Sequence, residues 1–363
     1  MNSDLTVGMN QRGITLIEMM VAITVGLILL AGIVQLFASN KQAYRIQEGA
    51  NVLNENSRYA LNQLEYSIRM AGHFGGAKPE SIAVETDAPA TDCTESAVLE
   101  NDDPGLDLGY GVEGFDGDDD PPLDCIPAAD YFPDTDVLIL RYAASERLPD
   151  AAVIAAADTQ FLRARAAGGA DVVDGADFED RYDAGSGPPD IQIMDAGDDN
   201  LDLVANYLMK VEIYFIRRCA SQARGDPDEC DAADDTIPTL ARLTLRDGVL
   251  VQEDVVAGVE QFQVLYGVDR SGDHSPNIYL PATDVEAGTG SGPEWRTVVD
   301  TRISLVLRNA ERDVTFTDER TYRLYGGDDG AGFEYTVADA DRMFRRKAYN
   351  ASVQSRNMTR NLR

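Results

Sequence analysis

The stretch QRGITLIEMMVAITVGLILLAGIVQLFAS, Gln11 to Ser39, constrains this chain more than any other. From Ile14 to Ala38 it runs 25 residues with a single charge, Glu18. As a helix at ~1.5 Å per residue this segment is about 37 Å long, enough to cross a hydrocarbon core of about 30 Å with some tilt. A cleaved secretory signal has a shorter apolar core and ends at an A-x-A-like site, and this run has neither feature. The helical pattern also continues past it. Ile46, Ala50, Leu53, Ala60, Leu64, Ile68 and Ala71 recur at steps of three or four, or sums of them, with polar residues between. The spacing predicts one helix from Ile14 to about Met70, apolar in its first half (14–38) and amphipathic in its second (39–72). Gly72, Gly75 and Gly76 end it.

A plain membrane anchor explains everything here except Glu18. A carboxylate in the apolar zone costs roughly 2.5–3.5 kcal/mol on insertion scales, so it requires a partner. If the chain is cut after Gly13, the new amino group of Ile14 lies one helical turn from Glu18. A cation on a neighbouring copy would serve as well. Glycine before the cut suits a peptidase pocket with no room for a side chain, and Arg12 in the short leader (1–13) favours the cytoplasmic side.

The phrase RGITLIEMMVA resembles the processing motif of type IV prepilins: a basic residue, Gly, a hydrophobic first mature residue, and Glu as the fifth. The resemblance implies that a prepilin peptidase cuts between Gly13 and Ile14 and methylates the Ile14 amine. It also implies that Glu18 pairs with the terminal amine of an adjacent subunit during assembly. The likeness extends to the minor pilin family PilW. LFASNKQAYRIQEGANVLNENSRYALNQLEYSIRMAGHFGG (36–76), VLYGVDRSGD (264–273) and RMFRRKAYNASVQSRN (342–357) are similar to phrases of that family. There are departures. Ile14 replaces the usual phenylalanine, and Gln35 stands where many major pilins carry a kinking proline. Gly75-Gly76 stands where many PilW chains have a cysteine.

The whole chain has 363 residues, 63 acids against 31 bases and a formal net charge of −32. Phosphate binding needs a basic surface, so nucleic acid is excluded as an expected partner. An Asp-rich, Lys-poor surface fits a protein bathed in high salt, and it equally fits an acidic extracellular protein from a GC-rich genome. The cysteines are Cys93, Cys125, Cys219 and Cys230. An even, sparse count in an exported domain predicts disulfides, and three pairings are possible. Cys93–Cys125 and Cys219–Cys230 are favoured, because each closes a polar, Asp- and Pro-rich loop.

Residues 80–140 contain 18 acids and no base, and 73–135 reads as a long solvated acidic loop. Strand patterns follow in DVLILRY (136–142), LMKVEIYFIRR (208–218), LARLTLR (240–246), VEQFQVLYGV (259–268), TRISLVLRN (301–309) and RTYRLY (320–325). Residues 151–157 are ambiguous between helix and strand, and 171–200 reads as a surface insertion. The expected fold is α+β and pilin-like: a long N-terminal helix packed on an antiparallel sheet, with a β-rich ectodomain over 136–363. From Arg342 to Arg363 there are seven bases and no acid. A final strand whose arginines pair with the chain's own acids fits this tail, and so does a basic edge that docks on an acidic neighbour.

Candidate chemistry is thin. Asp269, Ser271 and Asp273 alternate in GVDRSGDHSPN, a spacing at which oxygen ligands can hold Ca²⁺, although an ordinary polar hairpin fits the same residues. The sequence has no G-x-S-x-G, P-loop or H-E-x-x-H, so no enzyme is expected. His73, His274 and Trp295 read as packing or turn residues. The PilW likeness implies a structural subunit, inserted in the inner membrane as a single pass with its N-terminus cytoplasmic, then carried to the cell surface in the pilus. Its implied partners are the prepilin peptidase, other minor and major pilins, the inner-membrane assembly platform and a tip adhesin. A type II secretion pseudopilin shares the leader and helix, and a tethered periplasmic binding domain shares the anchor.

Overall fold

The computed structural model describes residues 15–77, 82–84, 110–165, 169–178, 204–220, 230, 236–247, 249–290, 292–326 and 332–361. One helix, α1, spans Leu16–Met70. The chain divides into two compact units, Met1–Val52 and Leu53–Arg363, and α1 contributes to both.

In the first unit α1 is exposed and, from Leu16 to Ala38, apolar apart from Glu18 and a few uncharged polar residues, with Leu16, Ile28 and Phe37 each at least 70% accessible. It is one helix long and apolar enough to cross a membrane. Thr24 is accommodated in that run because its hydroxyl donates to the Met20 and Val21 carbonyls, both at 2.9 Å. No proline interrupts the helix, and Gln35 lies within its span.

In the second unit α1 turns one face inward: Leu53, Ser57, Ala60, Leu64, Ser67 and Ile68, followed by Ala71. Two sheets meet that face. The first has strands β1 (Ile82–Val84), β2 (Val112–Phe115), β3 (Val137–Ala143), β4 (Gln160–Arg165), β5 (Ala170–Asp174), β6 (Val204–Arg217), β7 (Thr239–Arg246) and β8 (Val249–Ala257). Its order is β1-β5-β4-β6-β3-β2, with β7 also on β6 and β8 on β7. The long β6 pairs with β4 through Val204–Leu208 and with β7 through Glu212–Arg217. The second sheet contains β9 (Val259–Val268), β10 (Ile278–Leu280), β11 (Val298–Arg308) and β14 (Arg346–Gln354), in order β10-β9-β11-β14 and antiparallel throughout. A hairpin of β12 (Thr321–Leu324) and β13 (Phe333–Thr336) packs Tyr322 and Leu324 over Val306 of β11.

One core lies between α1 and the inner faces of both sheets: Leu64 and Ile68, with Leu138, Leu140 and Ile216, and with Phe262, Val264 and Leu305. The opposite face of the first sheet carries a second core, in which Ile139, Ile213 and Phe215 pack under Phe74, Ile126 and Tyr131. The helix-on-antiparallel-sheet fold is thus present, with two differences. The sheet is doubled, and β1 pairs parallel with β5.

Where it is described, over 110–135, the acidic stretch is more ordered than its composition implies. It supplies β2, and Leu123, Ile126 and Tyr131 are core residues. Its acids find cations: Glu113 pairs with Arg141 at 2.8 Å and Asp130 with Arg217 at 2.8 Å, all four buried. The ambiguous 151–157 segment begins as a short helix, Asp150–Ile154. Of the expected insertion over 171–200, residues 171–174 are strand β5 and 179–200 lie outside the described residues.

Arg346 at the start of β14 is buried against Glu260 of β9, with Nη2 2.9 Å from Oε1, while Arg308 stands 3.7 Å from the same carboxylate. Removing one partner of a buried pair strands the other charge. Arg346→Met should therefore destabilise the fold by about 3–5 kcal/mol in denaturant unfolding. A loss under about 1 kcal/mol would show that Arg308 takes over the pairing.

Candidate assembly site

The first turn of α1 is built around Thr15. Its Oγ1 accepts the Glu18 N–H at 3.3 Å and its carbonyl accepts the Met19 N–H at 3.2 Å. Thr15-Leu16-Ile17-Glu18 is therefore the T-x-x-E arrangement that caps a helix N-terminus. The cap was readable in the sequence and was overshadowed by the charge of Glu18. An acid here also complements the positive end of the helix dipole. Glu18 is thus held in the first turn, exposed, next to an apolar run. Gly13 and Ile14 lie outside the described residues.

The exit of α1 is built just as specifically. Gly72 adopts φ 74°, and its N–H donates to the Arg141 carbonyl at 3.0 Å. A side chain at Gly72 would meet Met358 Sδ at 2.5 Å, so glycine is required for two reasons. Asn357 Nδ2 donates to the Arg69 and Met70 carbonyls at 2.9 and 3.2 Å, satisfying backbone acceptors that the helix end leaves open. Earlier in α1, Asn54 Oδ1 accepts from Lys347 Nζ and Tyr349 Oη, both at 2.9 Å. The helix exit and the C-terminal phrase, far apart in sequence, form one latch. Two further bases of the tail pair within the chain as well, Arg342 with Asp339 at 2.8 Å and Arg345 with Asp313 at 2.9 Å.

Cys219 and Cys230 form a disulfide. It is anchored at Asp130, whose Oδ1 accepts the Cys230 N–H and whose Oδ2 accepts Arg217 Nε. Cys125 carries a free thiol among the described residues, and Cys93, its expected partner, lies outside them. Cys125 packs against the second core, and burial pushes its thiol up to about 11.

Asp269, Ser271 and Asp273 build a turn through side-chain to backbone hydrogen bonds. Asp269 Oδ1 accepts the Ser271 and Gly272 N–H groups at 2.9 and 2.7 Å and the Ser271 hydroxyl at 3.1 Å. Its Oδ2 accepts the His274 N–H at 2.7 Å, and Asp273 Oδ1 accepts from Ser275. Among the described residues no three His, Cys, Asp or Glu side chains gather as metal ligands do. His274 sits in this turn at φ 66°. His73 meets the Tyr207 ring edge-on. Trp295 is fully buried, edge-on to Tyr266 at 4.9 Å, and its indole N–H donates to Glu286 at 2.7 Å.

Residues 8–34 match the model of the Prokaryotic N-terminal methylation motif, the segment that contains Gly13, Ile14 and Glu18. Residues 213–357 match the model of Type IV Pilus-assembly protein W, PilW. These matches support a PilW-family type IV pilin. The PilW match runs from the second half of β6 through the whole second sheet and ends on Asn357, the residue that caps α1. The prepilin motif and the apolar N-terminal helix suggest a membrane-anchored pilin, and the likeness to this family points to contact with other pilins and with assembly machinery. No curated protein and no solved structure matches the chain.

The Asp269 turn lies inside the PilW match and has a definite pH signature. Burial alone would raise its pKa, but the N–H groups of His274, Gly272 and Ser271 outweigh that and hold it below the usual carboxylate value. A carboxyl with a depressed folded-state pKa stabilises the fold above its unfolded value, about 3.9, and loses that contribution as pH falls through the folded one. Asp269→Asn should therefore melt below wild type at neutral pH, and the gap should close under acid. A gap that stays constant with pH would show that packing of the side chain, not its charge, holds the turn.

Proposed function

We propose that this chain is a structural minor pilin, cut between Gly13 and Ile14 by a prepilin peptidase and methylated on the Ile14 amine. Before assembly it sits in the inner membrane as a single pass, with its N-terminus cytoplasmic and its β-rich body periplasmic. It then enters the pilus through the inner-membrane assembly platform, beside other minor and major pilins. Its place is at or near the tip, where bulky insertions need not stack in every repeat, and a tip adhesin is a fitting partner. The observation that carries this reading is Glu18: one carboxylate, fixed in the first turn of an exposed apolar helix, inside a prepilin methylation match. A type II secretion pseudopilin would share that start, and the PilW match over 213–357 favours the pilus.

The place of Glu18 at the end of a T-x-x-E phrase makes a sharp test available. Glutamine at the same position keeps a capping box but removes the charge. If Glu18 only caps, Glu18→Gln should be incorporated into fibres like wild type. If it neutralises an amine, Glu18→Gln should fail as completely as Glu18→Leu, with the protein still processed and membrane-bound. Immunoblots of sheared pili measure incorporation, and mass spectrometry of the mature N-terminus should find N-methyl-Ile14. A chain that still starts at Met1, or one cut near Ala38, would end the pilin reading.

A further inference from the structure

The outward face of the second sheet carries a polar row that neither core uses. Tyr279 on β10 pairs with Gly267 on β9, Gly267 with Asp300 on β11, and Arg302 on β11 with Ser352 on β14. Gly267 makes room for the Tyr279 ring to lie across the sheet: a Cβ there would stand 2.9 Å from Tyr279 Cε1 and 3.0 Å from Asp300 Cβ. The Arg302 guanidinium rests 3.4 Å from the centroid of that ring, with Tyr325 on it at 5.4 Å. Tyr325 is itself tied down, its N–H donating to Ser304 Oγ at 2.8 Å.

Asp300, the acid beside Arg302, is already engaged. Its Oδ1 accepts the Tyr279 hydroxyl at 3.2 Å and the Ser352 hydroxyl at 2.7 Å. Arg302 is therefore half-buried and stacked on its faces, and its N–H fork makes no hydrogen bond or ion pair among the described residues. This stands out in a chain of net charge −32, in which Arg141, Arg217 and Arg346 are all claimed by carboxylates.

We propose that this face docks an acidic segment of a partner protein, one of whose Asp or Glu carboxylates accepts the bidentate fork of Arg302. A guanidinium matches a carboxylate in plane and spacing. Stacking has already fixed its rotamer, so little side-chain freedom is lost on binding. Tyr and Arg are also the residue types that dominate protein contacts. The row runs across β10, β9, β11 and β14, a span that suits a protein segment better than a small acid. The surface stands independently of the fibre reading, since it uses no residue of α1.

The full chain in detergent micelles is titrated by calorimetry, at low salt, with the peptide GDDDPPLD. This is the chain's own 117–124 sequence, and so a fair model of an acidic segment. Saturable binding that weakens with salt is expected, with no binding to the peptide carrying Asn for every Asp. Arg302→Lys keeps the charge but loses the fork and should weaken affinity about tenfold. Arg302→Ala should abolish binding, with both variants still folded by circular dichroism. No binding, or binding indifferent to both substitutions, overturns the proposal. So does Arg302-dependent binding of polygalacturonate without binding of the peptide, since the occupant would then be an acidic polysaccharide.

Discussion

One face of α1 closes the core, and both sheets depend on it. Ala60, Leu64, Ile68 and Ala71 are fully buried, in a cluster that includes Leu138 and Tyr214 from one sheet and Phe262, Val264 and Leu305 from the other. Burying a Leu or Ile side chain contributes about 1.5–3 kcal/mol. Without the helix these inner faces would open to water. The small residues Ser57, Ala60 and Ser67 let the helix come close, and Ser67 reaches the Tyr214 hydroxyl at 3.1 Å. The latch of Asn357 and Gly72 belongs to the same requirement, because a helix that seals a core must also stop cleanly and turn away.

A second constraint is charge. With 63 acids the chain folds only by deciding which carboxylates go inside and what meets them. Arginine is the usual answer, with pairs at Glu113, Asp130 and Glu260. Such pairs add little net stability but penalise any arrangement that separates them. Asp136 follows another rule. It is buried, and its oxygens accept the N–H groups of Gly117 and Val264, which ties the segment after β2 to β9. Burial first, and then the charge of Asp116, holds its pKa well above the usual range. A carboxyl raised in this way opposes folding as pH climbs through its folded-state value, opposite in sign to Asp269. The two senses of titration coexist because one carboxylate is surrounded by loop donors and the other is set among core residues.

The long helix and the strands at 137–143, 239–246, 259–268 and 298–308 were legible because each repeats its hydrophobic period over enough residues to be unambiguous. Strand β8, VLVQEDVVA, was not, since Glu253 and Asp254 break its alternation while Glu253 is drawn onto Arg242 and Arg246. Strand β2 was hidden by its acidic surroundings, because the sequence does not show that Arg141 waits across the ladder for Glu113. The disulfides divide along the same line. The Cys219–Cys230 pair is close in the chain and follows directly on a strand, so contact is almost forced, whereas the direction of Cys125 depends on tertiary packing. The latch between the helix exit and the tail pairs Gly72 with Met358 and Arg69 with Asn357, contacts that no local rule reaches.

Glu18 was legible as an anomaly, and the structure places it at the last position of a T-x-x-E phrase, its backbone N–H on the Thr15 hydroxyl. That place is not a sufficient reason for the charge. Glutamine caps as well and carries no charge into an apolar run, so capping alone does not select the costlier residue. The charge requires a positive partner, and on the proposed reading each processed copy supplies one amine and one carboxylate at the same end of one helix. Pairing them within a copy satisfies both groups and leaves nothing to drive association. Pairing them between copies uses the amine of one and the carboxylate of the next, a head-to-tail contact whose two sides differ. A contact of that kind closes into a ring only at special rotations and otherwise continues as an open helical filament. On that reading one acid in the first turn is enough to let a membrane helix join a fibre.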